Sequence, residues 1–385
     1  MKYYIIAGEA SGDLHGSNLI KEMMLLDAAA NIRCWGGDLM QHTGATVVKH
    51  YRHLAFMGFA EVIMNLPTIF KNLSFCKEDI QQFQPDVIVL IDYPGFNLRI
   101  ADWAKKQGFK VVYYISPQVW AWKENRVKKM KRCIDKMLVI LPFEKEYFSN
   151  KWNWNVEYVG HPLAEVIENY INQNKSANSN ENIHHSPFTL HPQASYNKPI
   201  IALLPGSRKQ EILKKLPIML QVSKAFPQYH FIVAQAPGQE DSFYHEMLQP
   251  YSNVSSVKNE TYHLLLKSQA ALVTSGTATL ETALFGVPEV VCYKGSNISY
   301  QIAKRLLTIK YISLVNLIMD KFVVKELIQN ELTAANLQRE LLLILTNDKR
   351  VAEIKTDYAA LKKLLSQGGN ASAKAAASIY RFLVK

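Results

Sequence analysis

The stretch Ile200–Ile212, IIALLPGSRKQEI, decides how this chain is read. Its opening apolar residues fit a strand buried on both faces. The chain then breaks at Pro205-Gly206 and presents Ser207 and Arg208 ahead of a helical pattern. A strand that ends in a small-residue turn and opens a helix is an anion site, because free N–H groups and the positive end of the helix dipole face the ligand. Arg208 adds a planar fork of donors that matches phosphate. Taken alone, this is also an ordinary strand-to-helix turn with a surface arginine. The rest of the chain changes that reading.

Working outward, residues 271–288, ALVTSGTATLETALFGVP, repeat the design. A strand runs into the small turn Ser275-Gly276-Thr277, and a helix follows, closed by Gly286 and Pro288. The turn lets a ligand approach backbone N–H groups. Glu281 lies near the start of the helix, where it can accept hydrogen bonds from sugar hydroxyls or simply offset the helix dipole. Asn316 falls in another expected loop. Residues 230–237, HFIVAQAP, read as a further strand, and the tail from Thr333 reads as helical.

The N-terminal half alternates in the same way. KYYIIA at 2–7 reads as a strand, followed by Gly8-Glu9-Ala10-Ser11-Gly12-Asp13 and an amphipathic helix. The glycine spacing is not the dinucleotide fingerprint, and no G-K-[ST] follows a glycine loop. Asp13 is expected to cap its own helix. Glu9 is read as functional, with Ser11 beside it, because open α/β sheets bind ligands at the carboxyl ends of strands. Asp86–Asn97, DVIVLIDYPGFN, reads as a central parallel strand ending at Asp92. A carboxylate there is badly placed for packing and well placed for catalysis. His161, in VGHPL, is read as structural.

Three other segments stand out. Residues 54–73, LAFMGFAEVIMNLPTIFKNL, are strongly apolar and split by Pro67. They fit either buried core helices or an amphipathic hairpin at a membrane interface. Residues 123–136 carry a predominantly basic run beside Trp120 and Trp122, which suits a solvated helix face, a membrane surface or phosphate groups. Residues 169–198 turn polar and read as a linker. Their clustered His184, His185 and His191 lack the flanking ligands of a metal site.

Composition bounds the rest. The chain has 385 residues and a formal net charge of +11, with a mean hydropathy of −0.08. Two domains and an anionic partner are expected. No apolar run is long enough to span a bilayer, and the N-terminus enters a strand with no signal-peptide pattern. The four cysteines are scattered, with no C-x-x-C, and are expected to be reduced and buried. A nucleic-acid binder would carry stacking aromatics among its basic residues. Only Trp120 and Trp122 are so placed.

Together AGEASGD (7–13), SPQVWAWKENRVKKM (116–130), ILPFEK (140–145), VGHPL (159–163), LLPGSRKQEI (203–212), SGTATLE (275–281) and YISLVNLI (311–318) resemble the lipid-A-disaccharide synthase family, in order along most of the chain. The resemblance implies an α/β fold of GT-B architecture, two Rossmann-like domains facing across a cleft. The expected layout is an acceptor domain over 1–168, a linker over 169–198 and a UDP-sugar domain over 199–365. The last helix, 366–385, crosses back to the first domain. The implied reaction transfers the sugar of UDP-2,3-diacylglucosamine to the 6-hydroxyl of 2,3-diacylglucosamine 1-phosphate, with inversion to a β-1,6 linkage. Asp92 is the first choice of base, and Glu9 the second, or a positioner of acceptor with Ser11. Arg208, Gly206, Ser207, Ser275, Gly276 and Thr277 would hold the leaving UDP, Glu281 its ribose, and Asn316 would lie near the nucleotide. No cofactor and no metal are expected. The expected setting is cytoplasmic, at the anionic inner-membrane surface, with a homodimer left open and no nucleic acid. The resemblance also favours the interfacial reading of 54–73. Family members often carry a second acidic residue where this chain has Gly95. The alternative is another GT-B enzyme using UDP-GlcNAc, a lipid-acceptor transferase or an epimerase.

Overall fold

The computed structural model describes residues 1–53, 66–179, 198–236, 238–295, 310–367 and 369–384. They divide into two units, Met1–Pro162 with Leu365–Lys385, and Leu163–Leu364.

The first unit is built on the apolar runs read above. β1 (Lys2–Ala7), β4 (Val87–Ile91) and β5 (Val111–Tyr114) are buried almost throughout, as a parallel sheet covered on both faces requires. With β2 (Asn31–Gly36), β3 (Thr46–His50), β6 (Lys136–Val139) and β7 (Glu157–Tyr158) they form one parallel sheet. Its order is β3-β2-β1-β4-β5-β6-β7. The order reverses between β1 and β4, so the helices that follow these strands leave on opposite faces. That reversal opens a crevice at the strands' carboxyl ends.

Alternation along the strands divides the core in two. Tyr4, Ile6, Ile88 and Leu90 face one cluster with Trp35, Phe96 and Ile100. Tyr3, Ile5, Val87 and Val89 face the other, with Leu19 and Ile20 of α1 (Ala10–Leu26). The C-terminal helix (Ala371–Leu383) completes this second face with Ala375, Ala376 and Ile379. Its Ser378 hydroxyl donates to Glu157 at 2.5 Å. Full burial of one such isoleucine is worth roughly 1.5–3 kcal/mol, so this helix is part of the first unit's core.

The second unit repeats the plan. β8 (Ile200–Leu204), β9 (His230–Gln235), β10 (Val254–Lys258), β11 (Ser268–Thr274), β12 (Glu289–Tyr293) and β13 (Lys325–Ile328) are all parallel. Their order is β10-β9-β8-β11-β12-β13. The reversal falls between β8 and β11, where Leu204 pairs with Val273.

One expectation changes here. The polar stretch from 169 is not a linker at its start, because the helix Pro162–Ser179 continues through it. Leu163, Ala164 and Ile167 are buried, and Tyr170 packs edge-on against Tyr262 and Phe285, with ring centroids 5.5 and 6.1 Å away. This apolar stripe at helical spacing carries the helix onward, and the unit boundary falls at Pro162. Residues 180–197, with the three histidines, lie outside the described residues. Of the apolar segment 54–73, residues 54–65 also lie outside them. Pro67 sits in the first described turn of the helix Leu66–Phe83, where a missing N–H is tolerated. Phe70 and Phe75 of that helix are exposed.

Candidate active site

In the first unit Ala7 pairs with Ile91, so Glu9 and Asp92 emerge beside each other at the crevice. Asp92 and Tyr93 both have positive φ, 42° and 47°. Two successive non-glycine residues in the left-handed region are strained. Ile115, at the end of neighbouring β5, is also left-handed, with φ 67°, a rare conformation for a β-branched residue.

Specific partners hold the strain. Asn97 is fully buried in the helix Pro94–Lys106. Its amide donates to the carbonyl oxygens of Asp92 at 2.8 Å and Ile91 at 3.1 Å. The Tyr113 hydroxyl donates to the Asp92 carbonyl at 2.5 Å. Gly8 clears the space: a Cβ there would lie 2.3 Å from Tyr93 Cδ1. Gly95 has open space around it.

Burial and then the nearby Glu9 charge push the Asp92 carboxyl up to about 7. A carboxylate poised there is a good proton acceptor near neutral pH. Glu9 and Ser11 are exposed at the start of α1. Asp13 does not cap its own helix. It is buried and accepts from the backbone N–H groups of Gly37, Leu39 and Met40, at 2.7, 3.1 and 3.0 Å. It therefore anchors the short helix Asp38–Gln41 that follows β2. His15 and His161 are buried, and burial pushes them down to about 4 and about 3, which keeps both neutral.

The basic run resolves into a tethered helix, Arg126–Cys133. Val127, Met130 and Cys133 face the core, while Lys129 and Arg132 pair with Asp102 at 3.8 and 3.3 Å. Trp122 is half-exposed, with the Lys123 ammonium 4.0 Å above its ring.

In the second unit, Gly206, Ser207, Arg208, Ser275, Gly276, Thr277 and Glu281 line one cavity of about 390 Å³ at the reversal between β8 and β11. Two helices begin there, α8 (Lys209–Ser223) after Arg208 and α11 (Thr277–Leu284) after Gly276. Neither has a side-chain cap, so no capping side chain competes with a ligand for the opening N–H groups. Gly206 and Gly276 have φ 116° and 143°, which suits glycine. Arg208 is exposed and pairs with Glu211 at 3.4 Å. Burial pushes Glu281 up to about 7, against the pull of the Tyr262 hydroxyl.

Two expected residues are occupied. The Ser275 hydroxyl donates to the Ile312 carbonyl at 2.8 Å. Asn316 is fully buried in the helix Leu314–Met319. Its amide donates to Val324 and Glu326, both at 2.9 Å, and its oxygen accepts from the N–H groups of Val323 and Val324, both at 2.9 Å. Those bonds fill the capacity of the side-chain amide, which ties this helix to the strand Lys325–Ile328 and the residues before it. Glu326 in turn holds Ile312 and Ser313, and Ile312 holds Ser275.

The sequence reading passed over Asn97, Tyr113 and Lys215. Lys215 carried a signal, because it stands on the stripe of α8 that buries Ile212, Leu216 and Met219. A lysine at a core-facing position calls for a partner. The four cysteines are free and buried. Among the described residues no cluster of His, Cys, Asp or Glu could hold a metal ion, and no helix is long and apolar enough to cross a membrane.

Solved structures with this fold include UDP-GlcNAc 2-epimerase from Neisseria meningitidis bound to UDP-GlcNAc. It aligns at TM-score 0.69 over 99% of this chain and 100% of its own, with 12% identity. The glycotransferase of kitacinnamycin aligns at 0.64 over 99% of both chains, also with 12% identity. They show the GT-B fold of two Rossmann-like domains. The lipid-A-disaccharide synthase of Geobacter metallireducens is 35% identical over 374 residues, covering 95% of this chain and 93% of its own. That of Coxiella burnetii strain CbuG_Q212 is 35% identical over 383 residues, covering 98% of each. The family model for lipid-A-disaccharide synthetase matches residues 3–380. The chain therefore belongs to the lipid-A-disaccharide synthase family, glycosyltransferases that make the disaccharide of lipid A.

Proposed function

We propose that the enzyme joins UDP-2,3-diacylglucosamine to 2,3-diacylglucosamine 1-phosphate, with Asp92 as the base. Asp92 takes the proton of the acceptor 6-hydroxyl. That oxygen attacks the anomeric carbon of the donor, and the bond to UDP breaks with its electron pair on the β-phosphate oxygen. One displacement inverts the centre and gives the β-1,6 linkage. The observation that carries this reading is the strained Asp92, raised to about 7 at the reversal of the first sheet. Glu9, whose charge helps raise it, orients the acceptor with Ser11.

In the second unit the open helix N-termini at Ser207-Arg208 and Gly276-Thr277, with the Arg208 guanidinium, take up charge as UDP departs. Glu281 accepts from the ribose hydroxyls. These groups supply the positive potential that a divalent ion supplies elsewhere. Attachment to the cytoplasmic membrane surface is part of the same reading. Exposed Phe70, Phe75 and Trp122, the apolar run at 54–65 and the +11 charge suit acylated substrates in an anionic bilayer.

The test is disaccharide formation from the two purified substrates with EDTA present. Turnover supports the scheme, whereas UDP release without disaccharide, or turnover only with added metal, sinks it. Replacing Phe70, Phe75 and Trp122 with Ser should reduce sedimentation with anionic vesicles. Unchanged sedimentation removes these residues from the membrane reading.

A further inference from the structure

Three charged residues follow the turn after β8 along one face of α8: Arg208, Glu211 and Lys215. Arg208 pairs with one Glu211 oxygen at 3.4 Å and Lys215 with the other at 3.7 Å. Arg208 is exposed, but Lys215 is only 3% exposed. Its ammonium donates to the Thr274 hydroxyl at the end of β11, one residue before the turn at Ser275. A Cβ at Gly206 would lie 2.9 Å from Glu211 Oε2 and 3.5 Å from Lys215 Nζ. The Gly206 backbone therefore lies directly on this pair. Lys215 thus bonds the end of β11 and lies close to the turn that follows β8.

A buried lysine costs more than an apolar residue of similar size. A methionine would pack on the stripe of Ile212, Leu216 and Met219 without that cost. A carboxylate lining an anion site is equally unexpected, since it repels the ligand that the helix N-termini attract. Each anomaly accounts for the other if the cavity must receive a diphosphate.

We infer that Lys215 is the charge-balancing residue of the nucleotide site: it neutralises Glu211 from behind, so that Arg208 can leave Glu211 for the donor's diphosphate. In the structure Arg208 rests on Glu211. When the site is occupied, Arg208 turns to phosphate while Lys215 keeps Glu211 paired, and no bare carboxylate faces the ligand. Lys215 is a positioning residue and touches no reacting atom. This inference rests on the reading that the cavity takes a UDP-sugar.

The test is calorimetric binding of UDP and of uridine to the full chain. K215M should weaken UDP by about tenfold or more, because Glu211 is then left unpaired once Arg208 turns to the diphosphate, and leave uridine within about threefold. E211Q should bind UDP as tightly as the wild type or tighter, since it frees Arg208 and removes the repulsion. The double variant K215M/E211Q should recover UDP to within about threefold of the wild type. Equal loss of UDP and uridine in K215M, unchanged UDP affinity in K215M, no recovery in the double variant, or weaker UDP binding by E211Q would each overturn the inference. E211Q and the wild type remain informative if K215M fails to fold. If the wild-type protein binds neither ligand, the UDP reading falls and this inference falls with it.

Discussion

The side-chain amide of Asn97 donates to the backbone carbonyl of Asp92 at 2.8 Å, and so fixes the candidate base in a left-handed conformation that it would not keep unaided. Asn97→Ala removes this bond and leaves the Tyr113 hydroxyl as the remaining side-chain donor. The expected result is a fall in kcat of roughly hundredfold, because small misplacements of a reacting group are that costly. Stability should fall by about 1–3 kcal/mol. Steady-state kinetics and thermal melting check both, and a variant that melts lower yet keeps its kcat would remove Asn97 from the catalytic geometry.

The pH dependence follows from Asp92. Its carboxyl is pushed up to about 7, and the base must be ionised. The rate should therefore rise with pH through about 7 and level off above. Asp92→Asn should remove that limb and cost about 10²–10⁴-fold. Glu9→Gln removes the like charge, so the limb should move to lower pH.

Stability runs the other way. The folded protein holds the Asp92 proton to higher pH than the unfolded chain does, so between the two values the native state binds more protons and stability falls as pH rises. The window runs from the ordinary value of 3.8 to about 7. Asp92→Asn should melt higher than the wild type at pH 8 and equally at pH 3. Equal melting at both would contradict the raised value.

Two glycines of the same edge should respond oppositely. Gly8→Ala drives a Cβ to 2.3 Å from Tyr93 Cδ1, against the rigid base of the ring. It should cost about 1–3 kcal/mol and lower activity roughly ten- to hundredfold by moving the Asp92-Tyr93 pair. Gly95→Asp enters open space in the first turn of its helix, so it should raise stability by about 0.5–1 kcal/mol. Melting curves of the two variants decide it.

Asn316 divides structure from binding. Asn316→Ala strips partners from Val323, Val324 and Glu326, and should cost about 2–4 kcal/mol. Well below the melting transition, UDP affinity should stay within about threefold. A variant that loses UDP but not stability would return Asn316 to the nucleotide.

What the sequence by itself determined is local and chemical. Apolar runs of strand length, each ended by a small-residue or Asp-Tyr-Pro turn, announced two parallel α/β halves. They also marked Glu9, Asp92, Arg208 and Ser275-Gly276-Thr277 as strand-end residues. This works because a strand buried on both faces needs a continuous apolar run, and its break needs a turn. Periodicity failed where polar composition hid an apolar stripe, as at Leu163, Ile167 and Tyr170. Only the tertiary structure decided which strand ends are neighbours. Strand order brings β1 beside β4 and β8 beside β11, and partners far apart in sequence then set each group's state. Asp13 became the anchor of a helix 25 residues onward, Asn316 was consumed by Glu326 and two backbone amides, and Lys215 found Thr274. Side-chain hydrogen bonding and burial are properties of the packed neighbourhood, and no linear spacing encodes them.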